Sequence, residues 1–147
     1  MRRSDSHLDF DLELAKQSSN ENPVYYVQYA HARICSVLKE AENRHIPMPG
    51  LAGFNPELLV SDEEKKLVNR LSLFPQEVKR AALDRAPHVI VSFAYDLAAD
   101  FHSFYNANRI LGERQDIMDM RLLLVQASKS VLSRSLKLLG VSAPERM

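Results

Sequence analysis

The apolar residues that follow Asn22-Pro23 repeat with the period of a helix, and they constrain the fold more than any other feature. Val27, Ala30, Ile34, Val37, Leu38 and Ala41 fall on one stripe at about 100° per residue. Asn22 suits an N-cap, and Pro23 suits the first helical position, where a missing amide costs nothing. The spacing predicts a helix from about Pro23 to about His45, stopped by Pro47-Met48-Pro49-Gly50. A helix with one apolar stripe needs partners to cover it.

The rest of the chain supplies them. Residues 46–60 read as a loop carrying Pro47, Pro49, Pro56, Gly50 and Gly53, with Leu51, Phe54, Leu58 and Leu59 expected to tuck inward. Ser61-Asp62-Glu63-Glu64 is a capping box that opens a helix to about Leu73, burying Leu67, Val68 and Leu71. Pro75 is expected to start a separate short helix with Val78, Ala82 and Leu83 inward. Pro87 opens a second long helix over about His88–Leu111, cored by Ile90, Phe93, Ala94, Leu97, Phe101 and Phe104 and stopped by Gly112. A last helix over about Asp116–Leu139 turns Leu124, Ala127, Val131, Leu138 and Leu139 inward, with Ser128 and Ser135 as small contact points and Gly140 as its stop. The expected architecture is an all-α antiparallel helical bundle.

Composition narrows the function classes. The chain has 147 residues and is 46% hydrophobic with four glycines, which suits one globular helical domain. Nineteen basic residues cancel nineteen acidic ones, so net charge gives no footprint of a nucleic-acid partner, and only a local basic edge could provide one. The single cysteine, Cys35, cannot form an internal disulfide; it reads as a small buried filler in a reducing compartment. No run is apolar enough to span a membrane, and no signal peptide precedes the first charges. There is no glycine-rich phosphate loop and no metal-spaced Cys/His set, and the five histidines lie scattered.

Two clusters remain as candidate binding residues. Tyr26, Tyr29 and Arg33 fall at the edge of the first apolar stripe. They are either amphipathic residues lining a core boundary or a platform for stacking unpaired bases and holding phosphate, and periodicity does not choose. Tyr105, Asn106 and Arg109 stand at the end of the second long helix, either as ordinary helix-end residues or as part of the same surface.

The run NPVYYVQYAHARI at residues 22–34 resembles the start of the C-terminal anticodon-binding (DALR-type) domain of bacterial arginyl-tRNA synthetases. The ending LKLLGVSAPERM at residues 136–147 resembles that family's C-terminus. The resemblance spans nearly the whole chain. It implies a class I synthetase anticodon-binding fold over residues 22–147. It also implies a connecting arm over residues 1–21, joining a catalytic domain absent from this sequence. Leu8, Phe10, Leu12 and Leu14 alternate with acids as in a strand, but the resemblance implies an extended arm and then a short helix. The family's HIGH-like and KMSKS-like signatures are missing, so arginylation belongs to the absent domain. The implied partners are tRNA-Arg and that catalytic domain, with a monomer in the cytoplasm. This domain itself needs no cofactor, whereas the full-length enzyme uses ATP and Mg.

By the same resemblance Tyr26, Tyr29, Arg33, Tyr105, Asn106, Arg109, Arg146 and Met147 face the anticodon stem-loop. A terminal Met thioether can pack on a splayed base in any orientation. The tail is expected to dock, because Pro144 stiffens it. The alternative is a free-standing helical interaction module, to which the neutral charge and the apolar 46–60 loop point.

Overall fold

A computed structural model describes residues 22–147. The arm expected over residues 1–21 lies outside the described residues. Four helices make the bundle: α1 (Pro23–Asn43), α2 (Asp62–Leu83), α3 (His88–Ala107) and α4 (Gln115–Leu138). Two single 3-10 turns, Leu51–Gly53 and Pro56–Leu58, interrupt the loop between α1 and α2. Among the described residues there is no strand, and no helix is long and apolar enough to cross a membrane.

α3 and α4 form the centre: each packs against the other three helices. Phe101, Phe104 and Leu97 of α3 are fully enclosed, beside Ile34 of α1, Leu67 of α2, and Leu122 and Leu132 of α4. Ser128 and Ser135 are enclosed too, so small side chains do allow close approach along α4. The Asn22 side chain accepts from the Val24 amide at 3.1 Å. The capping box forms in full: Ser61 Oγ accepts from the Glu64 amide at 3.1 Å, and Glu64 Oε2 from the Ser61 amide at 2.9 Å. Gly140 takes φ +70 as expected, and the Val141 amide closes α4 onto the Leu136 carbonyl.

Four expectations are corrected. Pro75 starts no new helix: α2 runs unbroken from Asp62 to Leu83. Pro75 is exposed, so solvent can take the Leu71 carbonyl that it leaves unbonded, and Phe74 holds the helix to α3 through Phe93, ring centroids 5.6 Å apart. Ala82, Leu83 and Leu138 face solvent, because the ends of α2 and α4 run past the core. Of the loop residues, Leu59 is buried and Leu58 partly so, but Leu51 is 82% exposed and Phe54 is also exposed. Finally, α3 ends at Ala107, four residues short of Leu111, because Asn108 turns extended (φ −125, ψ 130). Arg109 therefore follows the helix, and Gly112 (φ +85) serves a turn beyond it.

Candidate nucleic-acid interface

The C-terminal tail is fixed by polar side chains. Gln28 Nε2 of α1 donates to the Ser142 carbonyl at 2.9 Å and to Ser142 Oγ at 3.2 Å. One turn further, buried His31 donates from Nδ1 to the Pro144 carbonyl at 2.9 Å. Lys129 Nζ of α4 meets Glu145 at 3.2 Å. These bonds fix the tail's register along α1, so its last two residues arrive at a defined place. Met147 stays 52% exposed there.

That place is an open groove of about 850 Å³. Tyr29 and Arg33 come from α1, Tyr105 from the last turn of α3, Arg109 from the segment after it, and Arg146 and Met147 from the tail. Arg33 holds the centre. Its guanidinium carbon lies 4.8 Å from the Tyr29 ring centroid and 4.9 Å from that of Tyr105, and Nη2 donates to Tyr29 Oη at 2.7 Å. Arg109 folds over its own turn, donating from Nε to the Leu111 carbonyl at 3.1 Å.

The family model described as "DALR anticodon binding domain" matches residues 27–147. The chain belongs to the DALR anticodon-binding domain family. It is 49% identical over 147 residues to the arginine–tRNA ligase of Desulforamulus reducens, covering 100% of this chain and 26% of that protein. It is 52% identical over 147 residues to the arginine–tRNA ligase of Desulforudis audaxviator, covering 99% of this chain and 26% of that protein. The arginyl-tRNA synthetase of Thermus thermophilus has the same fold, with a TM-score of 0.77 and 33% identity over 94% of this chain and 23% of that one. The chain thus spans about a quarter of the length of the curated relatives that it matches.

Within this DALR domain six of the eight residues singled out from the sequence line one groove: Tyr29, Arg33, Tyr105, Arg109, Arg146 and Met147. Two do not. Tyr26 turns inward against Tyr95 and His102, at 5.0 and 5.1 Å between ring centroids, and burial raises its hydroxyl pKa. Asn106 is exposed on the outer side of α3, and Asn108 lines the groove instead. Residue 108 lies three positions after Tyr105, the spacing that shares a helix face, whereas residue 106 is turned about 100° away from it.

Sequence reasoning also passed over His102, which props the site from below. Its Nδ1 accepts from Arg33 Nη1 at 3.4 Å, and its ring lies 5.8 Å from that of Tyr29. Burial, and then the neighbouring Arg33 charge, depress its pKa to about 4, so the ring is neutral at pH 7 and serves Arg33 as an acceptor. His102 among aromatics on the face shared by Ala98 and Tyr105 was the available signal.

The groove resolves the apparent conflict with a net charge of zero. Its walls carry Arg33, Arg44, Arg109 and Arg146 against one acidic side chain, Glu40, and Glu40 is already bonded to Arg44 at 2.7 Å. Arg33, Arg109 and Arg146 have no carboxylate partner among the described residues. Three acids, Glu64, Asp96 and Asp100, are paired away from the groove, in the contacts of α2 with α3 and α4. Rings, an uncompensated guanidinium and a thioether around an open groove suit an unstacked strand, with bases on the rings and phosphate on the cations.

Proposed function

We propose that this DALR domain receives the anticodon loop of tRNA-Arg in the groove between α1, the end of α3 and the tail, and so positions that tRNA for arginylation. Tyr29, Tyr105 and Met147 contact splayed bases; Arg33, Arg109 and Arg146 meet phosphate or base edges; Tyr26 and Asn106 take supporting places beside them. The names of the relatives, arginine–tRNA ligases, support the choice of tRNA. The reaction itself, with ATP and Mg, falls to the part of those proteins that this chain does not cover, and residues 1–21 are the arm leading to it. We assign the assembled protein to the cytoplasm, as a monomer. The observation that carries the reading is Arg33, clamped between Tyr29 and Tyr105 with no carboxylate to neutralise it among the described residues.

The test is the affinity of this domain, joined to a catalytic domain, for tRNA-Arg. Tyr105→Ala and deletion of Met147 are each expected to weaken binding by about 1–3 kcal/mol, the range for one lost stacking partner. Unchanged affinity in both variants overturns the site. A second reading, a protein-docking module, draws on the exposed Leu51, Phe54 and Val60 of the 46–60 loop. Affinity for RNA that does not fall with rising salt favours that reading, because phosphate contacts release counterions.

A further inference from the structure

One buried network makes no contact with the groove's opening, yet ends on its wall. Glu64 is 0% exposed, at the start of α2, and accepts there from the Ser61 amide. Its other oxygen accepts from Arg121 Nε of α4 at 2.7 Å. Burial alone raises the Glu64 carboxyl pKa, but the hydrogen bonds from Arg121 and Ser61 outweigh it and hold it below the ordinary range. The rest of the Arg121 fork points away from Glu64. Nη1 donates to the Arg109 carbonyl at 2.7 Å, and Nη2 to Asn108 Oδ1 at 3.2 Å. The Asn108 amide nitrogen in turn donates to the Phe104 carbonyl at 3.1 Å.

We infer that Arg121 is a positioning residue for the RNA groove: it holds residues 108–111 out of helical geometry, so that Asn108, Arg109 and Leu111 form the groove wall opposite Tyr29. This inference rests on the function proposed above. The α3 helix has no glycine or proline before residue 112 to stop it. The two bonds from Arg121 supply the stop by engaging the carbonyl of Arg109 and the side chain of Asn108. Glu64 anchors the guanidinium from the other side, so the wall is tied to the start of α2. A lysine can keep the charge opposite Glu64, but one ammonium cannot span three acceptors with a planar fork.

Arg121→Lys and Arg121→Gln are compared with Asp100→Asn. Asp100 is a buried carboxylate bonded to Arg70 and Lys66 between α2 and α3, and it does not line the groove. Hydrogen exchange is followed at the amides of 109–111, with binding to a tRNA-Arg anticodon stem-loop read on the same samples. Both Arg121 variants are expected to slow exchange at 109–111 at least tenfold relative to the rest of the chain, as α3 extends and gives these amides carbonyl partners, and to weaken RNA binding about tenfold. Asp100→Asn is expected to lower the thermal midpoint without either effect. Unchanged 109–111 exchange in Arg121→Lys overturns the inference, as does equal loss of RNA affinity in Asp100→Asn. If the wild-type domain binds no RNA, the proposed function fails, and exchange at 109–111 still decides the role of Arg121. If Arg121→Gln does not fold, Arg121→Lys carries the comparison.

Discussion

The two long sides of α3 use arginine in opposite ways. Towards α2, Arg70 meets Asp96 at 3.3 Å and the buried Asp100 at 2.8 Å, and towards α4 the Arg121 fork closes on the buried Glu64. Towards α1, Arg33 lies between two tyrosine rings with a neutral histidine beneath it and no acid among its partners. A guanidinium bonded to a buried carboxylate is consumed by the fold. One held by ring faces keeps its charge and leaves N–H edges for an incoming anion. A chain of zero net charge can thus hold a local cationic groove, because only one acidic side chain, Glu40, lines that groove against four arginines.

The sharpest way to break this contrast is to remove an acid from the first side and a base from the second. Glu64→Ala leaves the mostly enclosed Arg121 without its only carboxylate among the described residues and is expected to cost about 3 kcal/mol of stability, read by urea denaturation. Arg33→Gln is expected to cost about 1–2 kcal/mol, the scale of two partly exposed cation–π contacts. Equal losses in the two variants remove the distinction between structural and functional arginines.

An effect smaller than that of Glu64→Ala comes from His102. The unfolded chain takes up a proton here near pH 6.5, whereas the folded chain resists it down to about 4. Stability attributed to this group is therefore complete above pH 6.5 and is lost as pH falls towards 4. Between pH 7 and pH 4.5 we expect about 2 kcal/mol of destabilisation beyond that of His102→Gln, after allowance for the partial exposure of the ring. Parallel pH profiles for the two proteins, by urea midpoint, contradict the account of the groove floor.

What could be read from the residues alone was local. The caps of α1 and α2, the core face of α1 and the left-handed stop at Gly140 depend on neighbours within a few positions. The misreadings all involve a distant partner. α2 passes through Pro75 because Phe74 is fixed on Phe93. α3 stops at Ala107 with Arg121 bonded to residues 108 and 109, which no pattern around residue 108 records. Six of eight site residues fell on the groove, carried by a family resemblance and by correct phase on α1. The orientation of Tyr26 was not legible, because a ring at the edge of an apolar stripe can turn either way, and here Tyr95 and His102 draw it in. Docking of the tail was foreseeable from Pro144, but its register was not, since it is set by Gln28, His31 and Lys129.

The measurement that meets the central claim most directly is the binding of a tRNA-Arg anticodon stem-loop by Arg33→Gln and by Arg70→Gln, over a range of salt. The account predicts that Arg33→Gln binds about tenfold more weakly with a salt slope shallower by roughly 0.7, the share of one phosphate contact on a single strand. It predicts that Arg70→Gln is less stable yet keeps wild-type affinity and slope. Equal effects of the two substitutions on RNA binding, or none from Arg33→Gln, contradict it.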